Sequence, residues 1–201
     1  MTIMALERKM LMRSFIVFCG VLLALSGCNT SEYESLVEKE LSKGIREDSL
    51  FLGIHFRMSK KDFYMHCWEL NKQGIVWQGS RNMTVMQELN SLKHSATMDF
   101  YPNFHNDTIY EMPVTFAYKG WAPWNKHLSA DSLQPDVVNL LEQWYGEGFI
   151  EVEHPQRGAT FVKVDGNRRI LVWKDNDSDV KALYTDLLKK KALEKTEKSA
   201  P

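Results

Sequence analysis

The feature that most constrains this chain is an apolar run close to its start. Phe15 to Leu25 contains no charged residue, and Arg8, Lys9 and Arg13 precede it. A helix that spans a bilayer needs about 20 apolar residues, so this run is too short for that task. A basic entry, a short apolar stretch and the small residues Ser26 and Gly27 have the form of an export signal. Whatever follows must fold after crossing a membrane, in a compartment that can be oxidising. Cysteine usage then sets the terms of folding. Cys19 leaves with the signal and Cys28 stands at its end, so Cys67 is alone in the folded part. With no internal disulfide, that part must be stable through its core, for which the sequence holds 6 Trp, 7 Tyr and 10 Phe. Cys67 suits a buried structural position, with a nucleophilic or redox thiol as the alternative.

The apolar run closes on Leu25-Ser26-Gly27-Cys28. This tetrapeptide resembles the lipobox of bacterial lipoproteins: an aliphatic residue, two small ones, then the cysteine that receives lipid. The resemblance implies cleavage before Cys28, acylation there (palmitate among the chains), and anchoring to a membrane of the cell envelope, inner or outer. Two or more acyl chains hold a protein stably where one holds it only reversibly. Residues 1–27 are the expected signal peptide, and 28–48 the lipid-attachment cysteine with a tether and short helix. Residues 49–190 form the expected domain, and 191–201 a frayed tail. Without Arg8, Lys9, Arg13 and Glu7, the totals of 25 basic and 26 acidic residues fall to 22 and 25. That net charge of about −3 offers no basic stripe for phosphates, and nucleic acid is not an expected partner.

Along the mature chain, Ser31-Glu32-Tyr33-Glu34 has the form of a capping box before a helix to about Lys43. Leu50, Leu52, Ile54 and Phe56 alternate strictly, which predicts a strand or an extended entry into the domain over 48–57. Ser59-Lys60-Lys61-Asp62 opens a helix from about Lys60 to Lys72 that carries Phe63, Cys67 and Leu70 and ends at Gly74. Strands are predicted within Met83–Leu89, Ala96–Tyr101 and Ile109–Tyr118. A helix over Leu133–Tyr145 places Val137, Leu140, Leu141 and Trp144 on one stripe, with Pro135 in its first turn. Phe149 to Glu153 reads as a strand, and Phe161 to Trp173 as a hairpin about Asp165-Gly166-Asn167. A closing helix capped by Asp177 or Asp179 would bury Val180, Leu183, Tyr184, Leu187 and Leu188. The order predicts an α+β fold of helices packed on antiparallel sheet. Two tandem helix-plus-sheet units, 49–120 and 126–190, are a possible arrangement.

Gly44 through Leu188, with Met58-Ser59-Lys60-Lys61-Asp62-Phe63, His66-Cys67-Trp68-Glu69-Leu70-Asn71 and Trp121-Ala122-Pro123-Trp124-Asn125-Lys126, resembles uncharacterised envelope lipoproteins of Bacteroidota-type bacteria. That resemblance implies no activity. The helix-then-sheet order is similar in topology to β-lactamase-inhibitor-protein-like modules and to small outer-membrane assembly lipoproteins, which implies binding or scaffolding without catalysis.

The leading binding candidates are Trp121, Trp124 and Asn125. Two tryptophans that bracket a proline make either a rigid aromatic platform for a protein or a sugar, or an inward-turned lid over the sheet. His94, His105 and Asp107 lie near predicted strand ends and are the candidate metal ligands. They lack a compact ligand motif, so polar surface or satisfied core positions are the competing reading. His66 and Cys67 are neighbours on a helix and point about 100° apart. Glu151 and Glu153 share a strand face, as solvated edges often do. Asp48-Ser49-Leu50, Asp107-Thr108-Ile109 and Asp131-Ser132-Leu133 resemble Bacteroidota O-glycan acceptor sites, although Asp-Ser pairs also cap helices. No nucleophile elbow, zinc-protease motif or phosphate-cradling loop occurs, so no catalytic residue and no cofactor is expected. The expectation is a lipid-anchored envelope module that binds or scaffolds another macromolecule, such as an envelope protein, without catalysis, with an envelope glycan or small-ligand receptor as the alternative. A metal-dependent hydrolase is the rival.

Overall fold

The computed structural model describes residues 32–79 and 83–199. The expected signal peptide, Cys28, Ser31 and residues 200–201 lie outside them. Helix α1 is Glu32–Ser42 and α2 is Lys60–Lys72; strands β1 (Trp77–Gln78), β2 (Val85–Leu89), β3 (Ala96–Phe100), β4 (Asn103–His105) and β5 (Thr108–Tyr118) follow. A 3-10 turn over Lys126–Leu128 leads into α3 (Ala130–Tyr145). Strands β6 (Ile150–His154), β7 (Gly158–Asp165), β8 (Arg168–Lys174) and β9 (Asp179–Asp186) come next, and α4 (Leu187–Ser199) closes the chain. One unit of the chain ends at Ser35 and a second runs from Leu36; the sheet, α2, α3 and α4 belong wholly to the second.

All nine strands join one antiparallel sheet in the order β1-β2-β3-β5-β9-β8-β7-β6, with β4 paired to the start of β5. The fold is α+β. Its topology is a helix followed by a meander, twice: α2 precedes β1 to β5, and α3 precedes β6 to β9. The two meanders meet where β5 pairs with β9, from Glu111↔Thr185 to Ala117↔Asp179.

The period of two in a strand sends Met112, Val114, Phe116 and Tyr118 to one face of β5. Across the ladders they meet Met98 and Phe100 on β3, and Val180, Ala182 and Tyr184 on β9. All nine are buried. Helix α3 covers this face with Leu133, Val137, Leu140 and Leu141, and α2 adds Phe63, Cys67 and Leu70. Ser59 caps α2 as its motif predicts: the hydroxyl accepts the Asp62 N–H at 3.1 Å.

Four expectations need correction. The stretch 48–57 is a doubled-back loop instead of a strand. Leu52 and Gly53 both take positive φ (53° and 75°), and the Ile54 N–H reaches the Phe51 carbonyl at 2.9 Å. Alternation arises because Leu50, Ile54 and Phe56 each turn into the core from a tight turn. The expected closing helix is strand β9 over Asp179–Asp186. Val180, Leu183, Tyr184 and Leu187 fit helical spacing, but Val180, Ala182 and Tyr184 equally fit a period of two. Open partners on both β5 and β8 decide for the strand, which leaves no backbone group of this stretch to satisfy by helix formation. The true cap is Asp186, whose carboxylate accepts the Leu188 and Lys189 N–H groups, and α4 runs through the expected frayed tail to Ser199. Finally, α3 begins three residues early, since the Ala130 N–H bonds the Asp177 carbonyl at 2.8 Å. Pro135 therefore sits in its second turn.

Candidate functional site

The Trp121–Trp124 loop splits its two rings. Trp121 is half-buried and packs against the core, whereas Trp124 is 85% exposed. Asn125 caps a turn, its N–H on the Ala122 carbonyl at 2.8 Å. The lid and the platform are thus one residue each. Trp121, Pro123, Lys126, Asp131 and Lys174 line a small cavity of about 320 Å³ that Trp124 does not join.

The candidate metal ligands separate. His94 lies beside Tyr118, ring centroids 5.3 Å apart, and 5.6 Å from His127. His105 ends β4 and Asp107 sits in the turn before β5, at the other end of that eleven-residue strand. At about 3.3 Å per residue, β5 alone holds the two places roughly 30 Å apart. Among the described residues no three His, Cys, Asp or Glu side chains gather as a metal-holding set. His66 supports the 48–57 loop, with Nε2 at 2.6 Å from the Leu52 carbonyl. Cys67 is buried, and burial pushes its thiol up to about 11. Glu151 and Glu153 point outward from the edge strand β6. Of the three Asp-Ser/Thr sites, Ser49 is exposed, the Thr108 hydroxyl donates to the His105 carbonyl, and Ser132 lies in the first turn of α3.

Two places that the sequence reading passed over stand out. Tyr64 and Trp68 are one turn apart on α2, away from its core stripe, and both are about half exposed. With Trp77, Met83 and Tyr101 they line a mainly apolar groove of about 490 Å³. The groove lies beside β1, the end strand of the sheet. The Tyr64 and Tyr101 hydroxyls share a 2.5 Å hydrogen bond, which with burial pushes the Tyr101 phenol up to about 12. The Lys72 ammonium rests 3.2 Å from the Trp68 ring centroid. The available signal was an aromatic pair on the polar side of a predicted helix.

The second place is a cleft of about 780 Å³. One wall is the doubled-back loop from Glu47 to Leu52, a second the last turn of α3 with Trp144 and Tyr145, and a third the sheet at Gln87, Asp165 and Arg168. Arg168 is only 5% exposed. Its Nη1 donates to the Ser49 carbonyl at 2.7 Å and its Nη2 to Asp165 at 3.0 Å, while the guanidinium lies 4.5 Å from the Tyr145 ring centroid. Lys163 shares Asp165 at 3.1 Å and donates to the Glu147 carbonyl at 2.7 Å. The Tyr145 hydroxyl donates to the Leu50 carbonyl at 2.9 Å, and burial pushes this phenol up to about 12. Trp144 is 38% exposed, 6.4 Å from Phe51 ring to ring. The sequence reading assigned Trp144 to the core stripe and gave Arg168 no role, because the loop that meets both, through Phe51 and Ser49, lies more than ninety positions away in the chain.

None of these arrangements pairs a nucleophile with a base. What they offer is shape, aromatic surface and fixed hydrogen-bonding groups, which serve binding. Comparison with protein-family models, with curated proteins and with solved structures finds no match for this chain.

Proposed function

We propose that this protein is a lipid-anchored module of a bacterial cell envelope that docks a protein partner and does no chemistry of its own. The lipobox-like Leu25-Ser26-Gly27-Cys28 supports the anchor, and no helix among the described residues is long and apolar enough to cross a membrane. The docking reading rests on one observation: Tyr64, Trp68, Trp77 and Met83, all large and exposed, converge on a single concave groove. Aromatic anchors that surround a pocket are the residues that dominate protein interfaces. The groove replaces the Trp121–Trp124 loop as the leading surface, because only one ring of that loop is presented to solvent.

Two measurements test this reading. Labelling cells with a radioactive fatty acid should mark the wild-type chain and leave Cys28→Ser unmarked; label retained in that variant removes the anchor. Crosslinked capture from native membranes should then yield one partner that Trp68→Ala/Trp77→Ala loses and Trp124→Ala keeps. If the groove variant retains the partner, or if wild-type protein binds protein-free lipid vesicles through these residues, the docking assignment is wrong.

A further inference from the structure

The cleft between the 47–52 loop, α3 and the sheet lies apart from the aromatic groove and has a different chemistry. Its volume falls within the range of about 300–1,000 Å³ usual for small-molecule sites. Its lining alternates ring faces with polar groups: Trp144 and Tyr145 beside Gln87, Glu47, Asp165 and Arg168. From these residues we infer a binding site for a neutral saccharide.

Three observations select that ligand class. Charge comes first. Asp165 is paired with Arg168 at 3.0 Å and with Lys163 at 3.1 Å, and Glu47 lines the cleft beside them. Two carboxylates meet two cations, so the cleft offers no surplus to an anion or to a cation. Polarity comes second. A hydrocarbon ligand would strip water from a carboxylate, a guanidinium and an amide without replacing their hydrogen bonds, which is unfavourable. A sugar hydroxyl both donates and accepts, and so can serve Glu47, Gln87 and Arg168 alike. Its ring also presents a face of C–H groups to the half-exposed indole of Trp144, where flat stacking on an aromatic surface is favourable.

The third observation is Arg168 itself. Two of its nitrogens are held by Ser49 and Asp165, but its buried Nε–H has no acceptor among the described residues. That Nε has less than 1 Å² of accessible surface, so it is not itself a ligand contact; what the cleft presents is a guanidinium locked in place. Because the guanidinium is fixed by the loop carbonyl, the carboxylate and the Tyr145 ring, it would pay little entropy on binding. Gly166 and Asn167 complete this arrangement as the two-residue turn that presents Asp165 and Arg168 opposite one another.

The test uses the full chain, purified in detergent and titrated to millimolar concentrations with maltose, cellobiose or N,N′-diacetylchitobiose. Calorimetry and saturation-transfer NMR supply the readouts. At least one disaccharide should bind saturably, with ring protons in contact with the protein. Trp144→Ala should weaken it by about tenfold, the stacking contribution expressed as affinity, and Gln87→Ala severalfold. Trp68→Ala and Trp124→Ala should change nothing, which keeps this site separate from the docking groove. Unchanged melting temperatures for Trp144→Ala and Gln87→Ala will show that both still fold. No binding of any of the three sugars overturns the inference, and so does binding that Trp144→Ala and Gln87→Ala leave intact. Saturable binding of glutarate with no response to sugar overturns it in favour of an acid ligand.

Discussion

Replacing Gly166 by alanine tests whether the β7–β8 turn is clamped against the segment that leaves α1. Gly166 has φ +54°, and a Cβ built on it would stand 2.4 Å from the Ile45 carbonyl oxygen. Two costs follow. An L-residue in the left-handed region pays about 1–2 kcal/mol. Relieving a contact that short requires backbone movement, on the scale of overpacking at about 1–3 kcal/mol. Together they predict a loss of roughly 2–5 kcal/mol, or a fall in melting temperature of about 5–15 °C for a chain of this size. Gly74→Ala is the matched control: φ is +66° with nothing within 4 Å of the added carbon. It carries only the strain, about 1–2 kcal/mol. Thermal melts followed by circular dichroism read both variants. Equal losses for the two would refute the close approach of Ile45 to the turn. They would also undercut the placement of Asp165 and Arg168, since this turn is further tied down by the Glu47 N–H, which donates to the Asn167 side-chain Oδ1 at 2.7 Å.

Other expectations follow from single groups. Cys67 is buried and its thiol is pushed up to about 11 by burial, so at pH 8 only about one molecule in a thousand carries the reactive thiolate. With Cys19 and Cys28 replaced by serine, a disulfide reagent should label the native chain far more slowly than the urea-unfolded chain; equal rates would place Cys67 at the surface. Burial pushes the Asp48 carboxyl upward, but hydrogen bonds and attraction from Arg46 and Arg57 outweigh it and hold the group below its ordinary 3.8. A depressed carboxylate contributes stability above its unfolded value and loses it as pH falls through the folded one. Asp48→Asn should therefore melt below wild type at pH 7, with a gap that narrows toward about pH 2; a gap that does not change with pH contradicts the ion pairs. Tyr118→Phe removes a hydroxyl that donates to Asp136 at 2.5 Å. It should cost about 1.5–3 kcal/mol in urea denaturation, the range for a hydrogen bond to a charged group, and no loss would show that this bond carries nothing.

How far the sequence could be read depended on the range of the forces involved. Helix α2 was legible from Ser59 to Gly74 because its cap, its stripe and its stop all lie within one segment. The β7–β8 hairpin was legible for the same reason, its turn residues being adjacent. Strand β9 was not, since Val180, Leu183, Tyr184 and Leu187 fit a helix and Val180, Ala182 and Tyr184 fit a strand equally well until β5 and β8 are present on either side. The 48–57 loop failed in the opposite way. Its alternation was real, but the positive φ of Leu52 carries no sequence mark, and the carbonyls of Ser49, Leu50 and Leu52 are matched by Arg168, Tyr145 and His66 from distant parts of the chain.

The candidate sites divide along the same line. Burial of Cys67 agrees with the reading weighed from residue type, whereas the exposed Trp124 beside a half-buried Trp121 fits neither the lid nor the platform as a pair. His94 and His105 were weighed as metal ligands against polar surface positions only because both fall near strand ends, and β5 is a spacer that holds them at its two ends. The aromatic groove needed the sheet to bring Trp77 and Met83 beside Tyr64 and Trp68, and the cleft needed a loop, a helix end and a hairpin turn to converge. By itself the sequence determined the α+β class, the locally capped helix α2 and the β7–β8 turn, because hydrophobic period, capping and turn chemistry act between residues near in the chain. Only the tertiary structure decided which faces remained exposed and which charges came together, because burial and long-range pairing are properties of the whole packed sheet.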